Sequence, residues 1–107
     1  MTNRSLLDVT VSEAAFQEQV IEYAHLRGWR SYHAHDSRRS APGFPDLVLL
    51  RVGKMIVAEL KRESGVLSKP QREFLIELMA VAGASGGAVS VCVWRPSDWP
   101  DVERMLR

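Results

Sequence analysis

The stretch GFPDLVLLRVGKMIVAELK, residues 43–61, decides the fold. Its two apolar runs, Asp46–Val52 and Met55–Leu60, have the length of strands, and Gly53-Lys54 between them makes a tight turn, so the pair reads as a hairpin. Pairing through that turn brings Asp46, at the start of the first strand, back to Glu59 and Lys61 at the end of the second. Alternation divides the second strand into two faces. Ile56, Ala58 and Leu60 form one, and Val57, Glu59 and Lys61 share the other. A strand between two helix layers is expected to be apolar on both sides, so a charged pair there needs a partner. One at a time, Asp46 reads as a turn cap after Pro45, and Glu59 and Lys61 as a solvated strand end. Together they read as a site.

Upstream, Ser12 is an N-cap candidate for a helix running to about Arg27, with Gly28 as its stop. Phe16, Val20 and Ala24 fall on one side of it, with Ile21 at the edge. Glu13 and Gln17 lie on or beside that side, while Glu18 and Glu22 point away. Arg30–Ala34 alternates weakly and is predicted as a strand. Residues 35–45 (HDSRRSAPGFP) form a polar loop. Downstream, Ser68–Ala82 is predicted helical, with Pro70 in the first turn and Leu75, Leu78, Met79 and Ala82 on its apolar side. Residues 83–87 (GASGG) connect to a buried-looking strand, Val89–Trp94, and Ser97 caps a closing helix with Pro100 in its first turn, ending near Leu106. The order is α-β-β-β-α-β-α, an α/β fold with a mixed central sheet flanked by helices. Residues 1–11 are expected to be a loose lead-in and residues 12–107 one domain, since 107 residues suffice for one core.

Composition narrows the function classes. Apolar content of 46% and charged content of 25% are ordinary for a globular protein. The net charge of +1 means that any anion-binding surface must come from local clustering of Lys and Arg. The lone Cys92, inside VSVCVW, cannot form an internal disulfide and reads as a buried thiol rather than a nucleophile. No apolar run approaches the ~20 residues of a membrane span, and the N-terminus lacks a signal-peptide core. The expected location is cytoplasmic, with no membrane partner.

Two carboxylates and an ammonium at one strand end suit phosphodiester hydrolysis. Hard oxygen ligands from Asp46 and Glu59 can hold Mg²⁺ or Mn²⁺, which acidifies bound water and stabilises charge on phosphoryl oxygens. Lys61 can position the attacking water or neutralise the phosphate, and it helps the carboxylates stay ionised. The segment containing His33, Ser37, Arg38 and Arg39 offers donors for a nucleic-acid backbone, and Arg62, Lys69 and Arg72 extend the positive lining. Solvated charge is the plain alternative for these residues. No Cys or third His completes a zinc set around His33 and His35; His33 is better suited to moving a proton or bonding phosphate.

The residues Pro45, Asp46, Glu59 and Lys61 match the PD-(D/E)XK nuclease motif, and their surroundings resemble one branch of it, the VRR-NUC (virus-type replication-repair nuclease) domain. The matching pieces are SEAAFQEQV (12–20), GWRSYHAHDSRRS (28–40), ELKRESGVLSKPQREFL (59–75) and VWRPSDW (93–99), spread over nearly the whole chain. The resemblance implies a restriction-endonuclease-like fold, dependence on Mg²⁺ or Mn²⁺, and structure-selective cleavage of DNA. The small size resembles free-standing phage or bacterial members, homodimers that act in DNA repair on branched DNA such as four-way (Holliday) junctions. It also implies a helix carboxylate as a further metal ligand, matched by Glu13 with Glu18 as the alternative, and a glutamine beside the site, matched by Gln71. Glu13 equally suits a capping-box or first-turn role. The rival readings are a non-catalytic nucleic-acid-binding module, a nuclease subunit needing a partner, and a pure interaction domain.

Overall fold

The computed structural model describes residues 11–33 and 41–107. Helix α1 spans Glu13–Leu26; strands β1 (Arg30–His33), β2 (Leu47–Arg51) and β3 (Lys54–Leu60) follow; helix α2 spans Lys69–Gly83, strand β4 Val89–Trp94 and helix α3 Trp99–Leu106. The sheet order is β1-β2-β3-β4, antiparallel at the first two pairings and parallel between β3 and β4. The parallel step requires a crossover, and α2 supplies it. The predicted α/β order is the observed one, with a 3₁₀ turn at Pro96–Asp98 inserted before α3.

The hairpin register pairs Leu47 with Ala58, Leu49 with Ile56 and Arg51 with Lys54. The turn is therefore Val52-Gly53 rather than Gly53-Lys54. Within the turn only Gly53 has positive φ (+76), as the third residue of a four-residue turn requires, so Lys54 is free to enter the strand. Leu47, Leu49, Ile56, Ala58 and Leu60 point to one face and form the main core with Phe16, Val20 and Ala24 of α1 and Val102 and Leu106 of α3. Leu75 of α2 and Val57 are buried outside that cluster, on the opposite face. Met79, expected inward, is 48% exposed: the inward side of α2 is rotated toward Gln71 and Leu75, leaving Ile76 and Met79 in solvent.

The far end of the sheet is closed by one cation. Arg51 lies 4.4 Å over the Trp29 ring and donates to the carbonyls of Arg27 (2.9 Å), Leu106 (3.1 Å) and Arg107 (3.0 Å). Two helix C-termini thus share a guanidinium, which satisfies orphan carbonyls and opposes their dipoles. Trp29 Nε1 also donates to Leu106 O at 3.0 Å.

Candidate active site

Extending the hairpin register one residue beyond Leu47 and Ala58 puts Asp46 opposite Glu59, at the open end of the sheet. The Leu60 N–H donates to Asp46 Oδ2 at 3.0 Å, so the pairing is continued by a side chain where backbone pairing stops. Glu13 arrives from the first turn of α1. Its carboxylate, with those of Asp46 and Glu59, offers one oxygen each within 4.8 Å of the others. Ser12 caps α1 by accepting from the Ala15 N–H at 3.1 Å. Ala15 occupies the position that a capping-box carboxylate would need, so Glu13 is not a capping-box residue. It remains a first-turn carboxylate, favoured by the helix dipole, and its head is exposed toward the other two. Glu18 points elsewhere, into a groove of about 720 Å³ that also includes Gln17, Ile21, Glu22, His25 and His33. That groove holds none of the three clustered carboxylates, so cavity size is a poor guide to the chemistry here.

Glu59 is the most constrained member. It is 1% exposed, and its Oε1 accepts from Gln71 Nε2 at 3.2 Å. Its Oε2 is buried and, when ionised, meets no donor among the described residues. Burial, followed by a side-chain hydrogen bond with Asp46 and the charge of that carboxylate, pushes its pKa up to about 9; Glu13 adds to the rise and Lys61 opposes it. A buried carboxylate oxygen with no donor is costly. A cation held among three carboxylates would satisfy it, and the all-oxygen donor set matches a hard divalent ion such as Mg²⁺ or Mn²⁺. The residues present therefore fit the metal that the sequence motif implied.

Gln71 is doubly bound. Ser68 and Gln71 form a reciprocal capping box at the start of α2: the Gln71 N–H donates to Ser68 Oγ at 3.2 Å and the Ser68 N–H to Gln71 Oε1 at 2.8 Å. The oxygen end of the amide thus caps the helix while the nitrogen end holds Glu59. Gln71 acts on a carboxylate in this structure rather than on solvent. Lys61 is half-buried beside Glu59 and its ammonium has no ion pair among the described residues; its backbone N–H donates to Trp94 O at 3.0 Å.

The cationic residues disperse more than the sequence suggested. Arg62 is exposed, Lys69 faces Glu73 at 3.8 Å, and Arg72 donates to Leu67 O at 2.8 Å. His33 lines the groove beside α1. Ser37, Arg38 and Arg39 lie outside the described residues. One further expectation fails. Ser97 does not cap α3, because its Oγ donates to Glu63 Oε2 at 2.7 Å and its N–H donates to Glu63 Oε1 at 2.9 Å. Arg95 in turn donates to Gly65 O at 2.7 Å. Both clamp the segment that follows Lys61. Glu63, 2% exposed, is the residue the sequence reading missed. In KRES it resembles any solvated charge, and its hydroxyl partner lies 34 positions away.

The VRR-NUC domain model matches residues 3–95. Comparison with curated proteins gave no match. Among solved structures the chain is similar to Archaeoglobus fulgidus Hjc, described as a Holliday junction resolvase from an archaeal hyperthermophile. That match has 20% identity and a TM-score of 0.50, over 76% of this chain and 66% of that one, just under two thirds of its length. At this identity the likeness is one of fold: a mixed four-stranded sheet flanked by helices. The family match covers most of the sequence, and the chain belongs to the VRR-NUC domain family of nucleases.

Proposed function

We propose that the protein is a divalent-metal-dependent, structure-selective endodeoxyribonuclease that hydrolyses phosphodiester bonds in branched DNA such as four-way junctions. Residues 12–107 are its nuclease domain, and it acts as a homodimer. The observation that carries the reading is the convergence of Glu13, Asp46 and Glu59 within 4.8 Å around a buried carboxylate oxygen that no donor reaches among the described residues. The structural neighbour, a Holliday junction resolvase, supports the junction substrate. A symmetric substrate that needs two cuts favours two copies of a small body.

In this reading Asp46, Glu59 and Glu13 hold Mg²⁺ or Mn²⁺. The bound ion supplies an acidified water and positive charge against the phosphoryl oxygens. The protein does the rest by position. Leu60 N–H fixes the Asp46 carboxylate, and Gln71 Nε2 fixes that of Glu59. Lys61 places an ammonium where negative charge grows on the phosphate, a stabilisation that is larger in the transition state than in the ground state. Arg62, Lys69 and Arg72, with His33, Ser37, Arg38 and Arg39, grip the DNA backbone without reading sequence. Arg72 does so only by giving up or sharing its bond to Leu67 O.

The test is cleavage of labelled linear duplex, single strand, flap and four-way junction DNA with Mg²⁺, Mn²⁺ or EDTA, beside Asp46→Asn. Paired symmetric cuts in the junction, lost with EDTA and in the variant, are expected. No cleavage by folded, metal-supplied protein would instead favour a binding module or a subunit that needs a partner.

A further inference from the structure

The segment leading into β2 lies closer to α2 than a side chain permits. Gly43 has a φ of +85, and a Cβ placed on it would overlap the carbonyl carbon and oxygen of Pro70 and lie 2.7 Å from the Gln71 nitrogen. The obstruction is backbone in the capped first turn of a helix, so no flexible side chain can move aside. Gly53 has nearly the same φ (+76) with nothing within 4 Å of its would-be Cβ. The constraint at Gly43 is therefore one of space as well as conformation. From Gly43 the chain continues through Phe44, whose ring meets Phe74 of α2 edge-on at 5.4 Å, then through buried Pro45 to Asp46. On the other side of the same contact, Gln71 binds Ser68 through Oε1 and Glu59 through Nε2.

We infer that Gly43 is a positioning residue of the carboxylate site: its lack of a side chain lets the Asp46-bearing segment rest on the Pro70–Gln71 peptide. That contact sets Asp46 relative to the Gln71-held Glu59. The inference rests on the proposed metal site. Asp46 and Glu59 are cross-strand neighbours, but each carboxylate swings about its own side-chain torsions, and ligand geometry tolerates only a fraction of an ångström of error. The Gly43–Gln71 contact gives both a common reference. Displacing the segment by the radius of one methyl group moves the first turn of α2, and with it the amide on Glu59.

The experiment compares Gly43→Ala with Gly53→Ala in the full chain. Both introduce a side chain at positive φ and so share that strain, but only the first meets an obstacle. Two readouts are taken: Mn²⁺ affinity by calorimetry, and the Gln71 side-chain amide resonances with their hydrogen exchange in metal-free protein. For Gly43→Ala the expectation is Mn²⁺ binding weakened about tenfold or more, as for loss of a group that orients a ligand, with a shifted, faster-exchanging Gln71 amide. Gly53→Ala should leave both readouts at wild-type values. Should Gly43→Ala be unfolded in buffer, both variants are measured in trimethylamine N-oxide, which favours the compact state without touching the site. A Gln71 amide unmoved by Gly43→Ala overturns the inference, as does unaltered Mn²⁺ affinity where the wild type binds the ion. If the wild type binds no Mn²⁺, the metal reading of the site falls, and the Gln71 amide alone decides the positioning role.

Discussion

Replacing Glu59 by Gln should stabilise the metal-free protein while destroying its site. Glu59 is 1% exposed, and burial followed by the Asp46 carboxyl raises its pKa from the ordinary 4.5 to about 9. The folded protein therefore keeps a proton that the unfolded chain releases above about pH 4.5. A raised folded-state pKa makes stability greatest at low pH and lets it decline as pH rises toward the folded value. Each pH unit above 4.5 costs about 1.4 kcal/mol, which makes the penalty about 3 kcal/mol at pH 7. That figure is insensitive to the folded pKa provided it stays well above 7. Gln mimics the protonated acid at every pH. It keeps an oxygen for Gln71 Nε2 and places a donor toward Asp46, where the protonated acid also donates. Urea denaturation in EDTA from pH 4.5 to 8 should show the two proteins equal at the acid end and the variant ahead by about 3 kcal/mol at pH 7, a sizeable part of an ordinary domain's stability. Added Mn²⁺ should then raise the wild type alone. A variant less stable at pH 7, or a difference that does not change with pH, would refute the picture of a protonated Glu59 held for a cation.

Apparent Mn²⁺ affinity of the wild type should climb with pH up to about 9, approaching tenfold per unit, because binding must displace the Glu59 proton; a flat calorimetric profile would contradict this. Lys61→Ala should abolish cleavage yet leave junction binding in a gel-shift assay largely intact, since its half-buried ammonium sits beside the carboxylates; unchanged cleavage or lost folding would count against its role. Arg51→Ala should cost about 2–3 kcal/mol in denaturant, from three hydrogen bonds to carbonyls and the stacking on Trp29. Its effect on cleavage per folded molecule should be small, because Arg51 and Asp46 lie at opposite ends of β2.

The sequence by itself determined the parts whose cause is local. The alternation in MIVAEL and the glycine turn before it specify a hairpin with one apolar face, and the register then has only one way to bury Ile56, Ala58 and Leu60. Asp46, Glu59 and Lys61 gather at one strand end for the same reason. Ser12 announced its helix because a cap is a contact three residues long. Tertiary structure decided whatever joins distant positions. It brought Glu13 rather than Glu18 to the carboxylates, because the α1 face is fixed by packing Phe16 and Val20 on the sheet. It turned Gln71 inward onto Glu59, took Ser97 away from the cap its neighbours suggested, tied Arg95 to Gly65 and buried Glu63. It also pressed Gly43 onto Pro70. These pairings span 12 to 46 positions, where no hydrophobic period carries information. They depend on how far one packed layer stands from another, a distance that exists only once both layers have formed.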